Sequence, residues 1–420
     1  MRLPRVFQFD KYKVKDFKEY LSDRTIKIHL ERDFRYSMLC TKCGSKMQPG
    51  FGSYPVKIHH MPIFNNHCYL ILRRQKGYCK SCKKVRTERL DFISVDSPHK
   101  STEYAWWVGR LCEISAVKKV SELIEEDSAT TWRLDYKRMK RMLSKYSIPK
   151  VKKICVDEVY ARRKKQKGET RDDQFLTVIC DLETRRVIWV SSSRRKEALD
   201  EFFMVLGKKA CENIEVVATD MHDAYGLSVK EHCPNATLVW DRFHIMQAFD
   251  NALNEDRKSL HGEAESGSEE KRLSRGKFRF MFLKKASRRS AKERVHIDDL
   301  IQMNKSFSAL EIIKESMHEF FNSKTEKEAQ EKFDIIGGWI MQKGFKSLHR
   351  WHNYMETRWE TVKNYFKARY TTALSEGFNN VIKTIKKQGY GYRNMEYFKL
   401  KIMQVCGYLN SKFIKDPLIQ

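Results

Sequence analysis

Two sets of residues in this sequence have the types and spacing to do chemistry. The first is four cysteines in two C-x-x-C pairs, Cys40/Cys43 and Cys79/Cys82. Two such knuckles present four thiolates to one tetrahedral ion, the donor set of a structural Zn2+ site, and a pair of strands would close the gap between them. A redox dithiol is the competing reading, but that motif comes singly on a βαβ unit. His59, His60 and His67 lie between the knuckles as substitute ligands, although four thiolates already complete a shell. The second set is acidic. Asp157 closes the apolar run VKKICV and Asp220 closes EVVAT. Ligands of open α/β sheets gather at the carboxyl ends of strands, and a right-handed crossover would set these two strands parallel and adjacent. Acids held that close repel unless cations sit between them, and hard oxygen donors favour Mg2+ or Mn2+. The third acid is Glu376. Phe378, Val381, Ile382 and Ile385 make one apolar stripe of its helix, while Glu376, Asn380, Lys383 and Lys387 make another, with an acid for metal and amide and ammonium groups for phosphate. The plainer alternatives are a turn or cap role for each aspartate and an ordinary solvated face for the helix.

Positioning these groups requires several elements. Residues 1–36 alternate weakly and read as an arm, and 37–95 hold the cysteine pairs with β-like stretches between them. Residues 96–150 read as three short helices, a helix-turn-helix-like unit. From 151 to 245 the pattern turns to strand, basic turn (161–173), hairpin, helix, strand, helix, strand, the order of an α/β unit with a mixed sheet. Residues 246–355 are helical and basic, with eleven Lys/Arg and one acid between Lys271 and Arg294. The stretch 261–276 reads as a flexible connection. Residues 356–420 carry the Glu376 helix, ended by Gly389 and Gly391.

Composition narrows the classes. Hydrophobic residues are 41% of the 420 and aromatics 12%, enough for real cores and too much for a disordered chain. Lys+Arg number 82 against 54 Asp+Glu, a formal net charge of +28. Such a surplus calls for an anionic partner, nucleic acid first and an acidic membrane surface second. No apolar stretch approaches a membrane span, and MRLPRVFQFDKYK lacks the apolar core of a signal peptide. Eleven cysteines without framework spacing point to a reducing, intracellular compartment.

Four stretches together resemble a known family: the C-x-x-C pairs, VDEVYARRKK with FLTVICDLETRRVIWV around Asp157, VVATDMHDAYGLSVKEHCPNATLVWDRFHIMQAF around Asp220, and LSEGFNNVIKTIKKQGYGYRN around Glu376. They are similar to the DDE transposases of bacterial insertion sequences, specifically the ISL-three family. The resemblance implies a ribonuclease-H-like catalytic core interrupted by a helical insertion, behind an N-terminal zinc ribbon and the helical unit. It implies that Asp157, Asp220 and Glu376 hold two Mg2+ or Mn2+ ions for cleavage and strand transfer, with Asp241 and His244 of the D-R-F-H string as a supporting pair. The implied partners are double-stranded DNA, both element terminal inverted repeats and target, bound by a homodimer or larger oligomer in the bacterial cytoplasm. Arg133, Lys137 and Arg138 are the expected DNA contacts in the helical unit, and Asn380, Lys383 and Lys387 those on the Glu376 helix. The bulky Trp106, Trp107, Trp132, Trp351 and Trp359 are expected in cores. Competing readings are a zinc-ribbon DNA-binding regulator with an inactive ribonuclease-H-like domain, and a nuclease without strand transfer.

Overall fold

A computed structural model describes residues 8–161, 170–276, 278–370 and 373–414. Most of the basic turn expected after the Asp157 strand, residues 162–169, lies outside them. The chain forms two compact units, Met1–Ser147 with Ile382–Gln420, and Ile148–Val381.

The first unit opens with β1 (Tyr12–Tyr20), β2 (Thr25–Arg32), β3 (Ser53–Ile63), β4 (Asn66–Cys79) and β5 (Lys84–Thr87). They form one sheet in the order β1-β2-β4-β3, with β5 paired to the end of β4. The pairing of β2 with β4 is parallel, from Thr25↔His67 to His29↔Ile71. The segment read as an arm therefore contributes two strands to the sheet that carries the cysteines. Alternation explains β2: Ile28 and Leu30 point into a core with Ile58, Leu70, Leu72 and Phe92. Fully buried Glu88 ties the sheet together. It accepts from Arg32 Nε at 2.9 Å, from the Tyr12 hydroxyl and from the Gln75 amide.

Three helices follow, α1 (Thr102–Ile114), α2 (Val117–Leu123) and α3 (Ser128–Leu143). Ser101 caps α1 and Asp127 caps α3, each side chain accepting a backbone N–H of the first turn. Val108, Val120 and Leu134 meet in their shared core.

The second unit is built on β6 (Lys153–Tyr160), β7 (Phe175–Asp181), β8 (Arg186–Ser192), α4 (Lys196–Leu206), α5 (Lys208–Cys211), β9 (Val216–Thr219), α6 (Asp223–His232) and β10 (Thr237–Trp240). The sheet order is β10-β9-β6-β7-β8. The β6–β7 and β7–β8 pairs are antiparallel, and β6–β9 and β9–β10 are parallel. Central β6 is buried on both faces from Ile154 to Val156, as expected for a strand covered on each side. Asp157 was expected at the end of its strand. It lies in mid-strand instead, because β6 runs three residues further and pairs Asp157 with Val178.

The helical stretch that follows comprises α7 (Arg242–Glu263), α8 (Glu269–Leu273), α9 (Phe278–Phe282), α10 (Ala291–Met303), α11 (Lys305–Phe320), α12 (Glu326–Lys343), α13 (Lys346–Glu356), α14 (Trp359–Val362) and α15 (Asn364–Ala368). Phe249, Phe307, Phe333 and Trp351 share one core with Val239 and Trp240 of β10, and Trp359 packs against it. The connection expected at 261–276 is half helical: α7 extends to Glu263 and α8 begins after its cap Ser268, with a non-helical link at 264–268 between them.

Last come α16 (Ala373–Gln388) and α17 (Met395–Cys406). Sequence patterning assigned 356–420 to a second part of the core, whereas contacts group residues from Ile382 onward with the first unit. There α17 joins α1 and α3. The Tyr397 hydroxyl donates to Asp135 Oδ2 at 2.6 Å, and Lys401 Nζ lies 3.4 Å from the same oxygen. Among the described residues no helix is long and apolar enough to cross a membrane.

One expected DNA contact belongs to this scaffold. Arg138 is 1% exposed, and its Nη2 donates to Glu113 Oε1 at 2.8 Å while Nη1 reaches the Gly109 carbonyl at 3.4 Å. It holds α3 to α1 and offers no face to a phosphate, so its assignment as a DNA contact is withdrawn. A Cβ at Gly109 would sit 2.3 Å from Arg138 Cδ. Gly109→Ala gains ~1 kcal/mol of helix propensity, but disrupting a buried ion pair costs ~3–5 kcal/mol. We expect a net loss of ~2 kcal/mol or more, read as a lowered first thermal transition. Gly338→Ala in α12, with nothing within 4 Å of the added carbon, should not lower it. An unmoved transition in Gly109→Ala would contradict the role given to Arg138.

Candidate active site

The parallel register of β6 and β9 pairs Cys155 with Ala218. Two residues on come Asp157, still within β6, and Asp220, the residue after β9, so one sheet edge presents both carboxylates. Asp157 is 8% exposed. Its Oδ1 accepts from the Glu158 amide at 2.7 Å and its Oδ2 from Asn379 Nδ2 at 2.9 Å. Burial pushes the Asp157 carboxyl up to about 6, with the charge of Asp220 adding to the rise and the Glu158 amide, His244 and Asn379 opposing it. Burial also raises Asp220, opposed by His244, His222 and Arg194. Asp220 Oδ1 accepts from the His222 amide at 3.2 Å.

Asp241 directly follows β10 and caps α7, its Oδ1 accepting from the Phe243 amide at 3.2 Å. This places His244 in the first turn of α7, where its positive form would favour ionisation of both aspartates. Helix α16 reaches the same strand. Ser375 Oγ lies 3.4 Å from Cys155 Sγ, and Asn379 bonds Asp157 one turn later. Glu376 stands between them in sequence, one residue after Ser375 and three before Asn379, and its side chain is exposed. Residues three apart on a helix are neighbours. The three acids do not close into one tight cluster: among the described residues, the only group of three or more His, Cys, Asp or Glu ligand atoms within 4.8 Å of one another is the four cysteines.

Four residues that the sequence did not single out complete the surroundings. Half-buried Glu158 is raised by burial and held by Arg194 Nη1 at 2.9 Å. Arg194 also donates through Nε to Asp172 at 2.8 Å and lies over the Phe175 ring. The others are His222 and Asn379. Asn379 could have been found by phasing the helix on Ser375 instead of Glu376, which points to Asn379 and not Asn380. Glu158, Arg194 and His222 meet only through the sheet, and no local spacing announces them. Glu158 Oε2, His222 Nδ1 and Asn379 Oδ1 are buried with no hydrogen-bond partner among the described residues. Orphaned polar atoms beside two desolvated acids suit a site built around cations and a polar ligand. Asp157 and Asp220 offer the hard oxygen donors that suit a divalent cation, and Glu376 lies on the helix that reaches Asp157 through Asn379.

The cysteines fit zinc directly. The Sγ separations are 3.9 Å for Cys40–Cys82, 3.5 Å for Cys43–Cys79 and 3.5 Å for Cys43–Cys82. Tetrahedral Zn–S bonds of ~2.3 Å place sulfurs ~3.8 Å apart. Hydrogen bonds from Ser45 pull the Cys43 thiol down to about 6, towards the thiolate a metal needs. The intervening histidines are engaged elsewhere: His59 stacks on Tyr104 and His60 Nδ1 meets Ser101 Oγ at 2.8 Å. Of the other expected DNA contacts, Arg133, Lys137, Asn380, Lys383 and Lys387 are exposed.

A family model described as a transposase, of the DDE and ISL3 type, matches residues 154–402. A second, described as the zinc-finger of transposase IS204/IS1001/IS1096/IS1165, matches residues 37–82. The chain is 25% identical over 380 residues to the transposase for insertion sequence element IS1001 of Bordetella parapertussis, covering 90% of this chain and 91% of that protein. It is 25% identical over 162 residues to the transposase for insertion sequence element IS1557 of Mycobacterium tuberculosis, covering 38% of this chain and 33% of that protein.

The raised carboxyl of Asp157 predicts a stability effect of definite sign. Folding favours its neutral form, so its penalty is absent below the usual Asp value, grows as pH rises through about 6, and is complete above that. A shift of this size corresponds to ~3 kcal/mol at neutral pH. Without added divalent ion, Asp157→Asn should raise the thermal midpoint of the second unit near neutral pH and leave it unchanged near pH ~4. Excess Mg2+ should stabilise the wild type near neutral pH and not the variant. A variant less stable than wild type at neutral pH would contradict the desolvation account.

Proposed function

Because the chain belongs to the ISL-three family of transposases, we propose that it binds the terminal inverted repeats of a bacterial insertion sequence and cuts and rejoins their phosphodiester bonds through Asp157, Asp220 and Glu376. The observation that carries this reading is the pair of desolvated aspartates on adjacent parallel strands, with α16 bonded to one of them through Asn379. The strand order, three antiparallel strands followed by two parallel ones, supports a ribonuclease-H-like core. Two Mg2+ or Mn2+ ions held by the three acids would activate the attacking oxygen and stabilise the leaving one.

The chain's own residues do the positioning. Asn379 and the Glu158 amide fix the two oxygens of Asp157, so the carboxylate presents one orientation. Arg194 pairs with Glu158 and opposes the rise that burial imposes on it, so that the negative charge of this carboxylate is met within the chain. His244 and His222 temper the repulsion between the aspartates. Cutting frees a 3′-hydroxyl at the element end, and the same site then joins that hydroxyl to target DNA. No protein nucleophile is required. Structural Zn2+ on Cys40, Cys43, Cys79 and Cys82 shapes the ribbon, and exposed Arg133 and Lys137 with Asn380, Lys383 and Lys387 contact DNA, either as base-edge readers or on phosphates. The working form is a homodimer or larger oligomer on DNA, in the bacterial cytoplasm.

The test is to incubate purified protein with a labelled element end and Mg2+ and to map the products. Wild type should release a 3′-hydroxyl end and join it to a second duplex. Asp157→Asn and Glu376→Gln should each lower both steps by at least ~100-fold while end binding persists. Binding without any cutting by wild type would favour the DNA-binding regulator instead. Cys40→Ser with Cys43→Ser should weaken specific end binding, and unchanged footprints would remove the ribbon from DNA recognition.

A further inference from the structure

The first unit holds a pocket of about 550 Å³, lined by residues of α2, α3, α17 and the turn after α16. Its size falls in the ~300–1,000 Å³ range of small-ligand sites. Four aromatic rings line it, Trp132, Tyr390, Tyr392 and Tyr397, and no carboxylate does. Three of the rings are locked. Trp132 stacks on Tyr136 at 5.0 Å, Tyr392 stacks on Phe398 at 4.6 Å, and Tyr397 is bonded to Asp135. Tyr390 is different: the residue is 91% exposed. Its backbone holds the left-handed conformation, φ 50°, between Gly389 and Gly391 at φ 92°. That conformation is rare for a bulky residue, and here it turns the side chain out beyond the end of α16. The turn is tight as well, since a Cβ at Gly389 would meet the Tyr392 ring at 2.9 Å.

The charge around the pocket has one sign. Lys118 and Arg393 line it and are exposed. Lys401 also lines it but is buried and bonded to Asp135 and Gln404, so it contributes floor and not attraction. Aromatic faces with exposed cations at the rim are the equipment for stacking bases and holding the phosphates beside them. A duplex buries its base faces and cannot use such a pocket. We propose that the pocket takes an unpaired base of the bound DNA, stacked on Trp132 and Tyr390, with the adjoining phosphates on Lys118 and Arg393. This deepens the reading of the chain as a DNA-processing enzyme and rests on it: cutting and joining at an element end exposes unpaired nucleotides.

The experiment uses the full chain and two probes, a fluorescein-labelled oligothymidine single strand and a blunt mixed-sequence duplex of equal length. Tyr390→Ala should weaken single-strand binding by about 5- to 100-fold and change duplex binding by less than about two-fold, while Tyr390→Phe keeps both. Lys118→Ala with Arg393→Ala should flatten the salt dependence of single-strand binding by about 1.4 in log–log slope. A 2-aminopurine in the single strand should be quenched by wild type and not by Tyr390→Ala. Equal losses on both probes, or single-strand affinity in Tyr390→Ala within two-fold of wild type, overturn the proposal. So does a change in oligomeric state of Tyr390→Ala without DNA, which would make this face a contact between copies of the chain. None of these measurements requires catalysis. A wild type that grips single strands through Tyr390 yet never cuts an element end sinks the transposase reading and leaves the pocket. One that cuts without dependence on Tyr390 sinks the pocket alone.

Discussion

The desolvated carboxylate of Asp157 is the constraint around which the second unit is arranged. A strand buried on both faces is the worst place for a charge, and Asp157 lies on the central strand of its sheet. Two short hydrogen bonds compensate only part of that cost, since burial remains the largest influence on this group. The parallel register of β6 and β9 then adds Asp220 to the same edge and makes matters worse. A fold shaped for stability alone would put Asn or Thr at one of these positions. Keeping both acids makes sense when something positively charged completes the site, and the orphaned atoms of Glu158, His222 and Asn379 around them agree with that.

The cysteine cluster solves a related problem differently. Four sulfurs brought within 4.8 Å of each other leave little room for four thiols and suit four thiolates on one cation. The ribbon it closes is welded to the first two strands through β2–β4 pairing and through Glu88, which takes Arg32 from β2 and the Gln75 amide from β4. In both places a buried or crowded anion organises elements distant in sequence. The difference is that Glu88 is directly bonded to its countercharge Arg32, whereas the hydrogen bonds to Asp157 among the described residues come from a neutral amide and a backbone N–H.

Much of this was legible in the sequence, for reasons that can be named. The core strands are short apolar runs with punctuated ends, so their number and order in the second unit could be read, and with them the adjacency of Asp157 and Asp220. The end of β6 could not, because Glu158-Val159-Tyr160 continues the pairing with β7 through backbone bonds that polar side chains do not advertise. The strand β1 was nearly invisible: beyond Tyr12 almost every side chain is exposed, and an edge strand of that kind carries no hydrophobic alternation. On α16 Ile382 and Ile385 of the apolar stripe are buried and Val381 is exposed, the polar stripe of Glu376, Asn380, Lys383 and Lys387 is exposed, and the contact with Asp157 falls on neither stripe. Asn380 was chosen for its spacing from Glu376, while the residue that meets Asp157 is Asn379. Spacing identifies faces about 100° wide, and adjacent residues differ by that angle.

The surplus of 28 positive charges also reads differently once the structure is known. Several cations are scaffold: Arg138 on Glu113, Arg289 forked to Glu311, and Lys314 buried against Glu311 and Glu315. Arg32 and Lys401 are likewise committed to Glu88 and Asp135. Each such pair is formally neutral, so it removes one charge of either sign and leaves the net surplus untouched. What changes is where the surplus can be. If buried acids take buried bases, the uncompensated charge is concentrated on exposed side chains such as Arg133, Lys137, Lys383, Lys387 and Arg393. A surface enriched in this way attracts a polyanion over a Debye length of ~10 Å, without distinguishing one sequence from another. Selectivity must then come from the few positions where exposed cations stand beside groups of fixed geometry, and the count of lysines and arginines says nothing about where those are.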